Sequence, residues 1–258
     1  MPKLAANLSM LFGEVDFLER FGRAAARGFK GVEYLFPYDY PAEQLAEKLR
    51  EHGLTQVLFN LPAGDWGAGE RGIAVLPDRV GEFQEGVGRA IEFAKVLGCG
   101  QLNCLAGIRP NGVSEDALRR TLLENLRFAS DALGRENIRL LAESINTQDI
   151  PGFYLCGTAQ WLDLMGRTGR ENMWMQYDIY HMQIMEGNLT RTIRDHLERI
   201  AHMQLADNPG RHEPGSGEIN YPNLLRFIDE AGYAGWIGCE YIPAGDTEAG
   251  LSWAEPYL

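Results

Sequence analysis

Four side chains able to hold a hard cation stand at or near the ends of short apolar runs in the second half of the chain. They are Glu143 in Leu-Leu-Ala-Glu, Asp178 in Met-Gln-Tyr-Asp, Gln204 in His-Met-Gln-Leu and Glu240 in Gly-Cys-Glu. Three carboxylates and an amide oxygen make a donor set that suits Mg²⁺ or Mn²⁺, whereas zinc prefers more His or Cys. Without a cation, carboxylates crowded together repel one another strongly. A single acid at a strand end is equally well explained as a cap on the following loop or helix. Four on consecutive runs outweigh that explanation for the set.

Other residues are spaced to assist. His181 follows Asp178 by three positions, within reach of a substrate oxygen. His202 precedes Gln204 by two, so it shares the inward face of the same run at a deeper level, where it supports the site from beneath. Arg211, in Asp-Asn-Pro-Gly-Arg-His, and Arg71, in a long loop over residues 61–72, are competing clamps for a substrate carboxylate. Trp66 in the same loop and Phe12 in an earlier one are candidates to cover a small ligand. His52 and His196 fall in helical stretches and carry no assigned chemistry. The run Gly67-Ala-Gly-Glu-Arg-Gly72 imitates a dinucleotide fingerprint but does not open a helix after the first strand, so it is discarded.

These residues need elements that bring them to one height, and the chain alternates accordingly. Strand-like stretches are expected at Leu4–Ser9, Gly31–Phe36, Gln56–Asn60, Gln101–Leu105, Ile138–Glu143, Met173–Met182, Ala201–Asp207 and Gly235–Tyr241. Helical spacing is expected at Asp16–Gly28, Pro41–Gly53, Asp78–Gly98, Ser114–Arg135, Thr158–Thr168, Leu189–Arg199, Tyr221–Ala231 and Thr247–Trp253. Within Met173–Met182, Trp174, Gln176 and Asp178 share one strand face, and Met173, Met175 and Tyr177 the other. Eight strand–helix alternations predict an α/β fold, a single (β/α)8 TIM barrel over residues 1–258, in which parallel strands present their C-terminal ends at one mouth.

Composition narrows the partners. With 24 basic and 36 acidic residues the net charge is -12, which disfavours nucleic acid and anionic membranes as partners. No apolar run reaches membrane length and the first residues lack a signal-peptide core, so a cytoplasmic protein is expected. Cys99, Cys104, Cys156 and Cys239 show no paired spacing and are read as reduced thiols. Homo-oligomers are common among such barrels, but nothing in the sequence fixes a symmetry.

Longer strings carry a resemblance. Ala-Asn-Leu-Ser-Met-Leu-Phe (6–12), Phe-Pro-Tyr-Asp-Tyr (36–40), Asn-Leu-Pro-Ala-Gly-Asp-Trp (60–66), Gln-Tyr-Asp-Ile-Tyr-His-Met-Gln (176–183), Ala-Asp-Asn-Pro (206–209) and Glu-Pro-Gly-Ser-Gly-Glu-Ile-Asn-Tyr (213–221) resemble the hydroxypyruvate isomerase family over essentially the full length. That family lies within the xylose-isomerase-like barrels, beside the ketose 3-epimerases. The resemblance implies a divalent metal held by Glu143, Asp178, Gln204 and Glu240, with Glu143 and Glu240 as the acid/base pair. It also implies a small hydroxy or keto acid as substrate, hydroxypyruvate first and 2-oxo-tetronate or a ketose next. Ser144 and the Ile-Asn after it stand where the resemblance implies a proline, a departure that removes no ligand. Gln204 stands where the sister epimerases usually have histidine, which favours the isomerase branch. Two other classes fit poorly. A metal-dependent endonuclease wants several His ligands and a basic surface, and a non-catalytic sugar-acid binder leaves both glutamates idle.

Overall fold

In the computed structural model, which describes all of residues 1–258, the eight apolar runs become eight parallel strands joined in sequence order into a closed barrel. The strands are β1 (Lys3–Asn7), β2 (Gly31–Glu33), β3 (Thr55–Asn60), β4 (Gln101–Cys104), β5 (Arg139–Glu143), β6 (Met173–Asp178), β7 (Ile200–Leu205) and β8 (Trp236–Cys239). The ring is sealed by β1 against β8, with Ala6 beside Cys239. Around it lie α1 (Phe17–Ala26), α2 (Ala42–His52), α3 (Val80–Leu97), α4 (Glu115–Arg135), α5 (Thr158–Thr168), α6 (Ile179–Met185), α7 (Leu189–His196) and α8 (Tyr221–Glu230).

The helix boundaries follow local chemistry. The Ser114 hydroxyl accepts from Ala117 N–H to start α4, and Gly53 and Gly98 end α2 and α3 at φ of 64° and 66°, where a side chain would be strained. Buried apolar residues of strands and helices form one continuous cluster. A small second cluster of Ala5, Val57, Leu58, Leu141 and Ala201 packs with Trp174 and Trp236, near the starts of β6 and β8. Toward the other end of the strands the buried residues turn polar, with Asn7, Glu33, Asn60, Asn103, Glu143, Gln176, Asp178 and Gln204 all 4% exposed or less. Apolar fill at one end and polar groups at the other set the site at the C-terminal mouth.

Four expected elements differ. The second strand stops at Glu33 and not Phe36, because its pairing with β3 shifts register between Val32 and Glu33 and Leu35 N–H turns to the Ser9 hydroxyl. The sixth strand stops at Asp178, and Ile179–Met185 is a helix, since the Asp178 carboxylate accepts from Tyr180 and His181 N–H and caps it. The stretch after Leu189 breaks into α7 and a 3₁₀ turn at Leu197–Arg199. The closing segment is a 3₁₀ helix at Ala249–Tyr257 with Pro256 inside it, a residue that cannot donate to a regular α-helix. All four cysteines are free, and Cys99, Cys104 and Cys239 are buried.

Candidate active site

A cavity of about 550 Å³ opens at the C-terminal mouth, walled by apolar side chains such as Met10, Leu35, Leu105 and Ile145. Into it face Glu143, Gln176, His181, Gln204, Arg211 and Glu240. Glu143, Asp178 and His181 each offer a ligand atom, and these atoms lie within 4.8 Å of one another. Glu143 ends β5, where Asn103 Nδ2 from β4 donates to its Oε2 at 3.1 Å. Asp178 divides its oxygens: Oδ1 caps α6, and Oδ2 lies 3.6 Å from Nε2 of the cavity-lining His181. The capping explanation for this strand-end acid holds, and its second oxygen is left available for other partners.

The surroundings of His181 fix its proton. Asn146 Oδ1 accepts from Gln148 and Asp149 N–H, so the amide nitrogen of Asn146 is turned to His181 Nδ1 at 2.7 Å. Nδ1 is then the acceptor and Nε2 carries the hydrogen. Burial holds the imidazole neutral, lowering its pKa to about 4. The side chain is therefore a neutral donor aimed between Asp178 and Glu143, 3.8 Å from the latter, a geometry better matched to a substrate oxygen than to a cation.

Glu240 follows β8 directly, and Arg211 meets it. Arg211 Nη2 lies 3.2 Å from Glu240 Oε2 and 3.8 Å from Asp178 Oδ2, with the guanidinium over the Tyr180 ring. The loop that delivers it is tied to Asp207, whose carboxylate accepts from Asn208, Gly215 and Ile219 N–H. Arg211 sits at φ 57°, a conformation costly for a non-glycine residue and tolerated where surrounding bonds enforce it. Burial works against its charge, and Glu240, Asp178 and Glu143 outweigh that effect and raise its pKa. Arg71 also lines the cavity, stacked 4.1 Å over Trp66 with Nη1 donating to the Trp66 and Glu70 carbonyls, but it pairs with no carboxylate. The two arginines thus divide their tasks, one held against the acids and one on the rim.

Gln204 lines the cavity with its amide oxygen accepting from Gln176 Nε2 at 2.6 Å. His202 lies deeper, as expected, with Nε2 2.6 Å from Glu33 Oε2. Trp66 reaches the cavity, but Phe12 does not: its ring is 2% exposed in the core and Met10 takes its place on the wall. Glu33, Gln176, Asn103 and Asn146 join the site through these contacts without any role being expected of them from the sequence. For Glu33 the signal was present, a carboxylate in Gly-Val-Glu, hidden because the apolar Tyr-Leu-Phe that follows reads as more strand.

Electrostatics favours a divalent cation here. Glu143, Asp178 and Glu240 are buried, and Arg211 is their one cationic neighbour, so when all three acids are ionised, three negative charges less one positive leave two to be compensated. Burial raises the Glu143 pKa well above the carboxylate range, with Glu240 and Asp178 adding to it. Burial also raises Glu240, to about 8, against the pull of Arg211. A carboxyl whose pKa is higher in the folded than in the unfolded state binds protons on folding, so stability is lost as pH rises. His181 acts in the opposite sense only below about pH 6.5. The chelator-treated protein should therefore lose thermal stability from about pH 6.5 to pH 8, and Glu240→Gln should flatten that slope in a calorimetric series.

A family model described as xylose isomerase-like TIM barrel matches residues 21–257. The chain is 54% identical over 257 residues to a hydroxypyruvate isomerase of Escherichia coli (strain K12), covering 100% of both. It is 48% identical over 258 residues to a 2-oxo-tetronate isomerase of Pectobacterium atrosepticum, covering 100% of this chain and 98% of the other. Among solved structures, one titled AP endonuclease, family 2, from Brucella melitensis superposes with a TM-score of 0.97 at 47% identity, covering 100% of this chain and 99% of that one. A 3-keto-D-glucoside 4-epimerase of E. coli shares the fold at a TM-score of 0.80 and 20% identity.

Proposed function

Because the chain belongs to the xylose isomerase-like TIM barrel family, we propose that it is a hydroxypyruvate isomerase, interconverting hydroxypyruvate and 2-hydroxy-3-oxopropanoate. The observation that carries the mechanism is the pair of buried glutamates, Glu143 and Glu240, with raised pKa values in one cavity beside the neutral donor His181. The reaction moves a carbonyl by one carbon. A proton leaves the carbon beside the carbonyl, an enediolate forms, and a proton returns to the neighbouring carbon.

One of the two glutamates takes the proton, and the same or the other returns it. A pKa near the working pH suits a group that must do both. His181 Nε2–H donates to a substrate oxygen, and Arg211 or Arg71 holds the carboxylate and so orients the carbon to be deprotonated. Glu143, Asp178, Gln204 and Glu240 would hold the divalent ion, Mg²⁺ or Mn²⁺, with Gln204 contributing its amide oxygen. Such an ion, when bound, supplies Lewis acidity that stabilises the oxyanions of the enediolate. The wall of Met10, Leu35, Leu105 and Ile145 limits water around that reactive species.

Relatives named as 2-oxo-tetronate isomerases, at 48% and 46% identity, favour a four-carbon keto acid as the second reading. An endonuclease is disfavoured by the net charge and by a cavity with one histidine on its wall. The test is incubation with hydroxypyruvate in D₂O, with and without chelator, followed by NMR. Deuterium in the substrate carbon and formation of 2-hydroxy-3-oxopropanoate, both abolished by chelation, are expected. Exchange into 2-oxo-tetronate with hydroxypyruvate inert would transfer the assignment to the second reading.

A further inference from the structure

Beneath the cavity lies a buried carboxylate that the chemistry above does not use. Glu33 is 1% exposed, and three side chains donate to it: Asn7 Nδ2 to Oε1 at 3.0 Å, Gln204 Nε2 to Oε1 at 2.9 Å, and His202 Nε2 at 2.6 Å from Oε2. A Cβ added at Gly238 on β8 would stand 2.3 Å from both carboxylate oxygens, so the barrel interior is shaped to admit this group. Glu33 directly follows the register shift in β2, and Gln176 directly follows the one between β6 and β7. Irregularities of this kind re-aim side chains that a regular strand would direct elsewhere.

The bonding has a sense. An ionised carboxylate only accepts, so the nitrogen end of the Gln204 amide must face Glu33. The Gln204 oxygen then points the other way and accepts from Gln176 Nε2 at 2.6 Å. That in turn leaves the Gln176 oxygen as the free end of the chain, buried and without a partner in a residue that lines the cavity. Reversing Gln204 would set an oxygen against the carboxylate and a nitrogen against the Gln176 nitrogen, and reversing Gln176 would set two amide oxygens together. One acid at the base therefore sets the sense of both amides: each turns its N–H end toward Glu33 and leaves its oxygen on the far side, in residues that line the cavity.

We propose that Glu33 is a positioning residue that fixes the sense of the Gln204–Gln176 amide relay, so that Gln204 offers its oxygen to a divalent cation. The proposal rests on the metal reading above and concerns how the ligand is oriented. Glu33→Asp keeps the charge and withdraws the acceptor from Gln204, and Glu33→Gln keeps the reach and removes the acceptor-only character. Both are close in size to the original, so two variants guard against one that fails to fold.

The measurement is Mn²⁺ binding to the whole protein by electron paramagnetic resonance of the free ion, with each variant made in the wild-type and the Gln204→Leu backgrounds. Loss of an outer contact that orients a ligand costs about 10–100-fold in metal affinity, and that weakening is expected for Glu33→Asp in the wild-type background. In the Gln204→Leu background neither variant should weaken binding further, because the group being oriented is gone. An equal loss in both backgrounds would overturn the proposal, since Glu33 would then act through its charge or through general stability. Unchanged affinity in the wild-type background would overturn it directly. If the unmodified protein bound no Mn²⁺, the metal reading would fall together with the proposal, and that result is separate from the other two.

Discussion

Glu240→Gln is expected to lower kcat on hydroxypyruvate by about 10²–10⁴-fold, the usual contribution of a positioned acid or base. The substituted amide keeps an oxygen that can accept from Arg211, now 3.2 Å from Glu240 Oε2, so the loop carrying Arg211 stays in place. What is lost is the ability to exchange a proton, at a carboxyl that burial has brought near neutrality. Steady-state kinetics and a melting curve separate the two: turnover should collapse while the thermal midpoint holds or rises, since a repelling buried acid has been neutralised. Retention of a tenth or more of wild-type kcat would remove Glu240 from the acid/base assignment and leave Glu143 to act alone.

The second large effect is expected at Asp178, where two substitutions separate two tasks of one side chain. Asp178→Asn keeps an oxygen to accept from Tyr180 and His181 N–H, so α6 remains capped. It removes a negative charge from the cavity and should weaken Mn²⁺ binding by more than the roughly 10–100-fold typical of losing an outer contact. Asp178→Ala should show the same loss of affinity and in addition destabilise the metal-free protein by about 0.5–2 kcal/mol, the cost of removing a helix cap. Mn²⁺ titration and chemical denaturation of both variants give the comparison. Equal stability of the two would mean that the cap contributes nothing, and wild-type Mn²⁺ affinity in Asp178→Asn would exclude Asp178 from the cation site.

Why some of these residues could be read from the chain and others could not follows from how each is held. Glu143, Asp178 and Glu240 are legible because a carboxylate interrupts an apolar run, and the barrel brings every such interruption to one mouth. Arg211 is legible as a loop cation, but its pairing with Glu240 is not, because the two are 29 residues apart and meet only through the Asp207-anchored loop. His181 is legible as a site residue, while its proton position depends on Asn146, set by a turn that accepts two backbone N–H groups. The helix after Asp178 is missed because Ile-Tyr-His-Met-Gln-Ile-Met reads as continued strand, and a single cap decides otherwise. Glu33 and Gln176 escape for the same reason: each follows a register shift, and a one-residue irregularity has no signature in periodicity.

The seam between β1 and β8 ties activity to the history of the chain during its synthesis. Glu33 comes from the first strands to be made and Glu240 from the residue after the last, yet Gly238 must lie against Glu33 for both to be seated. That contact spans more than 200 residues, the kind of distant pairing that forms late and slowly. Until β8 docks, the acids of β5 and β6 lack Glu240, and the rim lacks the Arg211–Ile242 backbone bond that steadies its loop. On the proposed assignment, a chain still emerging from the ribosome, or one arrested before β8, holds Glu143, Asp178 and Gln204 but lacks Glu240, so its turnover is expected to report ring closure.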